Sequence, residues 1–377
     1  MPTPARILYI SHLFPRVSLP EYGSNAHNAA IRVGADILVL TRKLPEPLVQ
    51  TPPSVRIQQI PYPDSHLQLL ANNMIMSVAG FIRSLAGQLL LAIKAIIPAR
   101  AYRPDIIHSF GALTLPAAYV ARLVTGAPVI VSLHGTDFHR INKSNFLIWW
   151  VRLADTIICV SQHMVVALQK KMPEKPIYYC PSGVDLTVFR NDPPLPRENI
   201  IVCVGRLTSV KRYDRILDAF AKIIQKSPEY RLIIMGRGDL LNVLQQQAER
   251  LQISDLVKFG GVVEKTELAK ILRTAKLFLM ASDWEGTPKA LLEAMACGIP
   301  VVTTDVGDCS YLVQGAGRVV MDNSPDAIAL AALDVIRSSN WDDFSRRAVS
   351  NASQFSWIEV TNKLKQVYRT LNSGVYL

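Results

Sequence analysis

LFLMASDWEGTPKALLEAMACGIPVVTTD, residues 277–305, reads as one complete βαβ unit. LFLMAS is a short apolar run ending at Ser282 and suits a buried strand. Thr287 is placed to cap a helix, with Pro288 at the first helical position, where a missing N–H costs nothing. Ala290–Ala296 is rich in helix formers. Gly298 closes the helix in a left-handed conformation, Pro300 blocks its resumption, and PVVTT opens the next buried strand. Two carboxylates occupy special places. Glu285 lies in the loop at the carboxyl end of a strand, and Glu293 lies on the helix, eight residues later. Open α/β sheets bind ligands at such strand ends, and a helix N-terminus is a natural anion site. The stretch suits a phosphorylated, hydroxyl-rich ligand.

The same alternation runs outward in both directions. Strand-like runs at 6–11, 36–41, 55–60, 105–109, 129–134, 156–161 and 177–180 mostly alternate with helical patterns. The pattern restarts at 199–205, 231–236, 257–259, 277–281, 301–304 and 318–320. Such alternation predicts an α/β fold with parallel sheets. FRNDPPLPREN, residues 189–199, has a linker composition. Two doubly wound, Rossmann-like domains joined by a hinge are expected, facing a central cleft that would hold the ligand.

The totals agree with two domains, since the chain has 377 residues. Its charge of +11 is uneven: residues 1–190 hold 18 Lys+Arg against 9 Asp+Glu, and residues 191–377 hold 23 against 21. The N-terminal half therefore suggests an anionic partner there, general solubility charge being the other reading. The five cysteines form no CxxC pair and read as free buried thiols of a reducing cytosol. No metal-ligand spacing is visible, and no signal peptide is apparent at MPTPARILYIS. Leu67–Ala99 is the longest greasy region, interrupted by Arg83 and Lys94. It reads as one or two long helices packed on the sheet, with contact to a membrane surface as the second reading.

Other strand ends carry candidate site residues. Gly23 follows the first strand, where a glycine lets backbone approach a ligand, or simply makes a turn. His134 and Asp137 follow the fifth run, as a polar pair facing the cleft or as a capped helix start. Gly205 and Arg206 end the strand at 199–204, and Lys211 lies near the next helix; two cations there can hold a diphosphate. Gly236-x-Gly238 is only part of a dinucleotide fingerprint and reads better as a tight turn capped by Asp239. Gly260 and Gly261 with Val262 and Val263 could offer backbone groups and an apolar wall to a base.

Together these segments resemble the retaining glycosyltransferases of the GT-B fold, family four, over nearly the whole chain. The carriers are the E-x7-E element from Glu285 to Glu293, Gly205-Arg206-Leu207 with Lys211, His134-Gly135-Thr136-Asp137, Gly183-Val184-Asp185, and the loop from Phe14 to Gly23. The resemblance implies that Arg206 and Lys211 grip the donor diphosphate. It implies Glu285 on the donor-sugar hydroxyls and Glu293 on the nucleotide ribose. Backbone at Gly205, and at Gly286, Thr287, Pro288 and Lys289, would meet sugar and phosphate. His134 would approach the sugar, Gly23 the phosphates, and Gly261, Val262 and Val263 the base. His134, Arg206, Lys211 and Glu285 form the expected catalytic set.

The implied reaction moves a sugar, with retention, from a nucleotide-diphosphate donor to a hydroxyl of a glycan or lipid-linked acceptor. Polysaccharide, lipopolysaccharide or glycolipid synthesis is the expected setting. UDP is favoured over GDP; no metal, further cofactor or nucleic acid is expected, since cations and helix dipoles neutralise the leaving diphosphate. Domain one is expected at 1–190 plus a returning C-terminal helix, 357–377, and domain two at 191–356. The expected location is the cytoplasm, with an anionic inner membrane surface as a partner of domain one. Three departures from the family pattern stand out: Tyr22 before Gly23, Arg212 after Lys211, and Ser182 before Gly183. A nucleotide-sugar epimerase of the same fold is the alternative activity, and donor alone would separate the two.

Overall fold

The computed structural model describes residues 4–16, 23–62, 78–142, 144–372 and 377. Tyr22 and the other residues at 17–22, and the first part of the greasy region up to residue 77, lie outside the described residues. Every strand expected from the sequence forms, with ends displaced by no more than two residues. The chain divides into two compact units, residues 1–181 with 358–377, and residues 182–357.

Unit 1 holds a parallel sheet of β1 (Arg6–Ser11), β2 (Asp36–Arg42), β3 (Val55–Ile60), β4 (Ile106–Phe110), β5 (Val129–Leu133), β6 (Thr156–Cys159) and β7 (Ile177–Tyr179), in the order β3-β2-β1-β4-β5-β6-β7. Its described helices include α1 (Ser24–Ala30), α2 (Val78–Tyr102), α3 (Leu115–Thr125), α4 (Gly135–Ile141), α5 (Asn145–Arg152) and α6 (Gln162–Lys171). Central strands such as β5, VIVSL, are buried along their whole length, as a sheet covered on both faces requires.

Unit 2 repeats the plan with β8 (Glu198–Val204), β9 (Arg231–Met235), β10 (Val257–Gly261), β11 (Ala275–Met280), β12 (Val301–Thr304) and β13 (Gly317–Val320), in the order β10-β9-β8-β11-β12-β13. Its helices are α7 (Tyr213–Lys226), α8 (Leu241–Arg250), α9 (Lys265–Thr274), α10 (Lys289–Ala296), α11 (Cys309–Val313), α12 (Pro325–Ile336) and α13 (Trp341–Ser353). The order reverses direction between β8 and β11, so the loops after these two strands diverge and leave a crevice at their carboxyl ends.

The last helix, α14 (Trp357–Leu371), supplies residues 358 onward to unit 1. A buried polar chain anchors it there. The hydroxyls of Tyr368 and Tyr9 are 2.7 Å apart, Tyr368 Oη lies 2.7 Å from His108 Nδ1, and His108 Nε2 lies 2.7 Å from Ser132 Oγ. Burial pulls the His108 imidazole down to about 3, so it stays neutral between its partners.

The boundary between units falls earlier than the linker composition suggests. Val184 N–H donates to Phe355 O at 2.8 Å, Trp357 N–H donates to Val184 O, and Gly183 lies flat on the Trp357 ring, where a Cβ would come within 2.6 Å of it. Residues 182–189 are thereby part of unit 2. The proline-rich stretch that follows is also fastened. Arg197 reaches the carbonyls of Leu272, Ala275, Cys297 and Gly298 and the Asn191 side chain at 2.9–3.2 Å. A half-buried arginine with five acceptors holds this linker on the end of α10 rather than leaving it free. All five cysteines are buried and free.

Candidate active site

At the crevice of unit 2, Lys211 and Glu285 meet. Lys211 ends a single 3-10 turn (Ser209–Lys211) in the loop after β8, and Glu285 lies in the loop after β11. Lys211 Nζ is 2.5 Å from Glu285 Oε1, and the same oxygen accepts from Ser282 Oγ at 2.8 Å. The carboxylate is nearly buried, so the ammonium and the hydroxyl hold it in one orientation. The loop is itself held. Thr304 Oγ1, at the end of β12, donates to Ser282 O at 2.7 Å, and Asp283 N–H donates to Val210 O at 2.8 Å. Gly307 has φ +57°, and a Cβ there would lie 2.5 Å from Glu285 O. Only glycine permits this backbone contact beneath the carboxylate. Arg206 is exposed in the same strand-end loop.

Arg212 follows Lys211 with φ 50° and ψ 45°, a left-handed conformation that glycine adopts at less cost than arginine. Its guanidinium offsets that cost. It pairs with Asp214 at 2.8 Å and Asp283 at 3.2 Å, and Arg215 pairs with Asp283 at 2.6 Å. These ion pairs tie the start of α7 to the loop that carries Glu285.

The glycines at the strand ends form a row across the sheet. Gly205 N–H donates to Met235 O at 2.9 Å, and Gly236 N–H donates to Gly261 O at 2.7 Å. A Cβ on Gly236 would lie 1.9 Å from Gly205 O, and one on Gly238 would lie 2.3 Å from Leu207 O. The Gly236-x-Gly238 pair therefore lets two loops touch backbone to backbone, which brings Gly205 and Gly261 to one edge of the crevice. Asp239 does not cap the next helix: α8 starts after Leu240 with no side-chain cap. Val262 is exposed beyond Gly261.

The start of α10 departs from expectation. The helix begins at Lys289, and Pro288 is its N-cap rather than its first residue. Thr287 does not cap it, because its Oγ1 accepts the Ser182 N–H at 3.2 Å instead. The helix end follows the sequence: Gly298, at φ +72°, donates to Met295 O, and Ile299 N–H donates to Ala294 O, a Schellman closure. Lys289 and Glu293 stand one turn apart on α10, both half-buried. Burial pushes the Glu293 carboxyl up to about 7, against the pull of Lys289 and Lys265. Burial pulls the Lys289 ammonium down to about 8, opposed by Glu293. Glu293 thus exchanges its proton near neutrality, and it can accept from or donate to a hydroxyl.

Sequence reasoning missed Ser282, Gly307 and Lys265. Ser282 carried a signal, a polar residue closing an apolar strand. Gly307 and Lys265 carried none, since their importance lies in which loop they meet.

In unit 1, Gly23 sits at the N-terminus of α1 with φ +70°, and a Cβ there would lie 2.3 Å from Leu13 O. Its openness is used by the carbonyl of its own loop. His134 caps α4; its N–H donates to Asp137 Oδ2 at 3.1 Å, and Asp137 Oδ1 accepts Ala112 N–H at 3.2 Å. Asp137 is therefore a cap that joins two strand-end loops. Asn25 Nδ2 lies 3.3 Å from His134 Nδ1, which brings the loop of Gly23 and the loop of His134 together.

Solved structures with this plan place the chain in the GT-B class of α/β proteins. It superposes on HepE of Anabaena, solved with UDP, with a TM-score of 0.72 at 18% identity over 97% of this chain and 100% of that one. Sucrose-phosphate synthase of Thermosynechococcus elongatus superposes with a TM-score of 0.76 at 19% identity, covering 98% and 99%. Two family models then match end to end, "Glycosyltransferase Family 4" over residues 26–188 and "Glycosyl transferases group 1" over residues 187–355. The chain belongs to this family of glycosyltransferases. It is similar to the D-inositol 3-phosphate glycosyltransferase of Segniliparus rotundus, 24% identical over 94% of this chain and 84% of that protein. It is also similar to the glycogen synthase of Mycobacterium tuberculosis, 25% identical over 98% and 95%.

Proposed function

We propose that this glycosyltransferase takes its sugar from a nucleoside-diphosphate donor, with UDP favoured over GDP, and passes it with retention to a hydroxyl of a glycan or lipid-linked acceptor. The observation behind this reading is the Lys211–Glu285 pair at the crevice of unit 2, beside exposed Arg206. Lys211 has three donors, so it can hold Glu285 and a phosphate oxygen together. Arg206 is free to fork onto the diphosphate. Glu285, fixed by Lys211 and Ser282, presents its other oxygen to sugar hydroxyls. Glu293, on the first turns of α10, suits the ribose hydroxyls. Two cations and a helix N-terminus neutralise a leaving diphosphate, which makes metal-independent transfer the natural chemistry. Retention then follows a front-face route in which the departing phosphate takes the acceptor proton, with no protein nucleophile. The HepE structure with UDP supports the choice of base. The reading includes polysaccharide or glycolipid synthesis as the setting and the cytoplasm as the place, which suits five free thiols.

A thermal-shift screen with UDP, GDP and their sugars tests the donor, since a ligand bound only by the folded state raises the melting temperature. UDP or a UDP-sugar should give the largest shift. NMR of the product should show the donor's anomeric configuration, and turnover should survive EDTA. No shift with any nucleotide, an inverted product, or loss of turnover in EDTA would each overturn the matching part.

A further inference from the structure

The helix α2 is apolar on both faces. Its inner face, against α3 and the sheet, buries Leu91 and Tyr102 together with the small residues Ala92, Ala95 and Ala99. Its outer face carries Leu85, Leu89, Ile93 and Ile97, 58%, 61%, 55% and 79% exposed. These four recur every four residues, which lines them up as one stripe. A helix that only covers a sheet places its large aliphatics inward and its polar residues outward. An apolar stripe of this length on an outer face marks a contact surface.

The charge of the surrounding layer says what the contact is. The helices α2, α3, α5 and α6 follow successive strands in one direction across the sheet, so right-handed crossovers place them on one face. Tyr119 Oη donates to Trp150 O at 2.7 Å and joins α3 to α5. Together these four helices contain seven Lys+Arg and no Asp or Glu, and two of the seven, Arg122 and Arg152, pair with Asp155 and Glu174 of the adjoining loops. Lys94 and Arg100 are exposed on α2 itself, and Trp149 is exposed on α5. A protein partner ordinarily meets a rim of both signs. The described charges on α2 itself, Lys94 and Arg100, are both cations, and beside an aliphatic stripe they match an anionic bilayer.

We infer that the outer face of α2 docks unit 1 on an anionic lipid surface through Leu85, Leu89, Ile93 and Ile97, with Lys94 and Arg100 at the headgroups. Residues 84–102 are long and apolar enough to cross a membrane, yet the inner face is committed to the domain. Tyr102 Oη donates to Asp36 O at 2.5 Å, so the helix lies on the surface rather than spanning it. The inference deepens the reading of a lipid-linked acceptor and rests on it only for its biological purpose.

Flotation of the full chain with phosphatidylglycerol-containing vesicles at low salt tests it. The wild type should float, with phosphatidylcholine vesicles alone capturing far less. The double substitution Ile93→Gln/Ile97→Gln should lower the bound fraction about tenfold or more. Lys94→Gln/Arg100→Gln should lower it on anionic vesicles only. Circular dichroism and an unchanged UDP thermal shift establish that both variants are folded. Undiminished flotation of the Ile93→Gln/Ile97→Gln variant overturns the inference. So does a lipid-free dimer that this variant makes monomeric, because the stripe would then be a protein interface. Flotation needs no sugar transfer, so a chain that floats without transferring sugar refutes the proposed function and leaves this inference standing.

Discussion

Replacing Lys211 by Met removes the ammonium and keeps most of the side chain's length. The Lys211 side chain is 23% exposed and that of Glu285 is 10% exposed, so their pair lies between a buried and a surface ion pair. Removing one partner of a buried pair costs about 3–5 kcal/mol, and an exposed pair is worth about 0–1 kcal/mol. Glu285 would keep the Ser282 hydroxyl at 2.8 Å, so the stability loss should be about 1–2 kcal/mol. For a nucleoside diphosphate the loss is one charge-assisted hydrogen bond, about 1.5–3 kcal/mol, or about 10–150-fold in Kd. Glu285→Gln should act the other way. It removes the carboxylate that shares the ammonium at 2.5 Å, so UDP should bind at least as tightly as to the wild type. Sugar transfer should nonetheless fall by about 100-fold or more. Isothermal titration of UDP and GDP into both single variants and the double variant, with urea melts alongside, reads all of these terms. Wild-type UDP affinity in Lys211→Met would refute the reasoning. Equal weakening by Glu285→Gln would do the same, because the pair would then bind phosphate only as a unit.

Two further outcomes follow from the backbone and from the buried imidazole. Gly307→Ala should shift the Glu285 loop and cut turnover strongly, because its Cβ would lie 2.5 Å from Glu285 O. Gly126→Ala is the control, with φ +76° and nothing within 4 Å, and should cost about 1 kcal/mol of stability with turnover intact. Equal turnover in the two variants would show that Gly307 does not seat the loop. His108 is held near 3 by burial, whereas the unfolded chain titrates near 6.5. Its contribution to stability is therefore complete above about pH 6.5 and declines as pH falls toward 3, by about 1.4 kcal/mol per unit. Urea melts at pH 7 and pH 5 should show about 2 kcal/mol of acid destabilisation that His108→Gln lacks. An identical pH dependence in both proteins would place that loss elsewhere.

Much of this molecule is local and was therefore legible. Parallel strands buried on both faces read as apolar runs, and all thirteen stand where those runs are. Gly298 and Pro300 end α10 by backbone conformation alone. Glu285, Lys211, Arg206 and Glu293 were visible as charged residues at strand ends and helix starts. Where several neighbours compete for one group, the sequence was less informative. Thr287 has the chemistry of a cap, and Ser182, over a hundred residues away in the chain, claims its hydroxyl. Asp137 reads as a helix cap or as half of a polar pair facing the cleft, and Ala112 N–H together with His134 N–H makes it a cap. The linker composition marked a break near 190, but the Val184 pairing with Phe355 and Trp357 moved it forward.

The sequence by itself determined the alternation of elements, the parallel α/β class and the identity of the charged candidates, because periodicity and strand-end position are properties of neighbouring residues. Only the tertiary structure decided that Lys211 and Glu285 share one hydrogen bond, that the row of Gly205, Gly236 and Gly261 lets the strand-end loops touch, and that Leu85, Leu89, Ile93 and Ile97 of α2 face outward while Leu91 faces the core. Each of these depends on which distant backbone or side chain fills the adjoining space, and close packing settles that only when the whole domain is assembled.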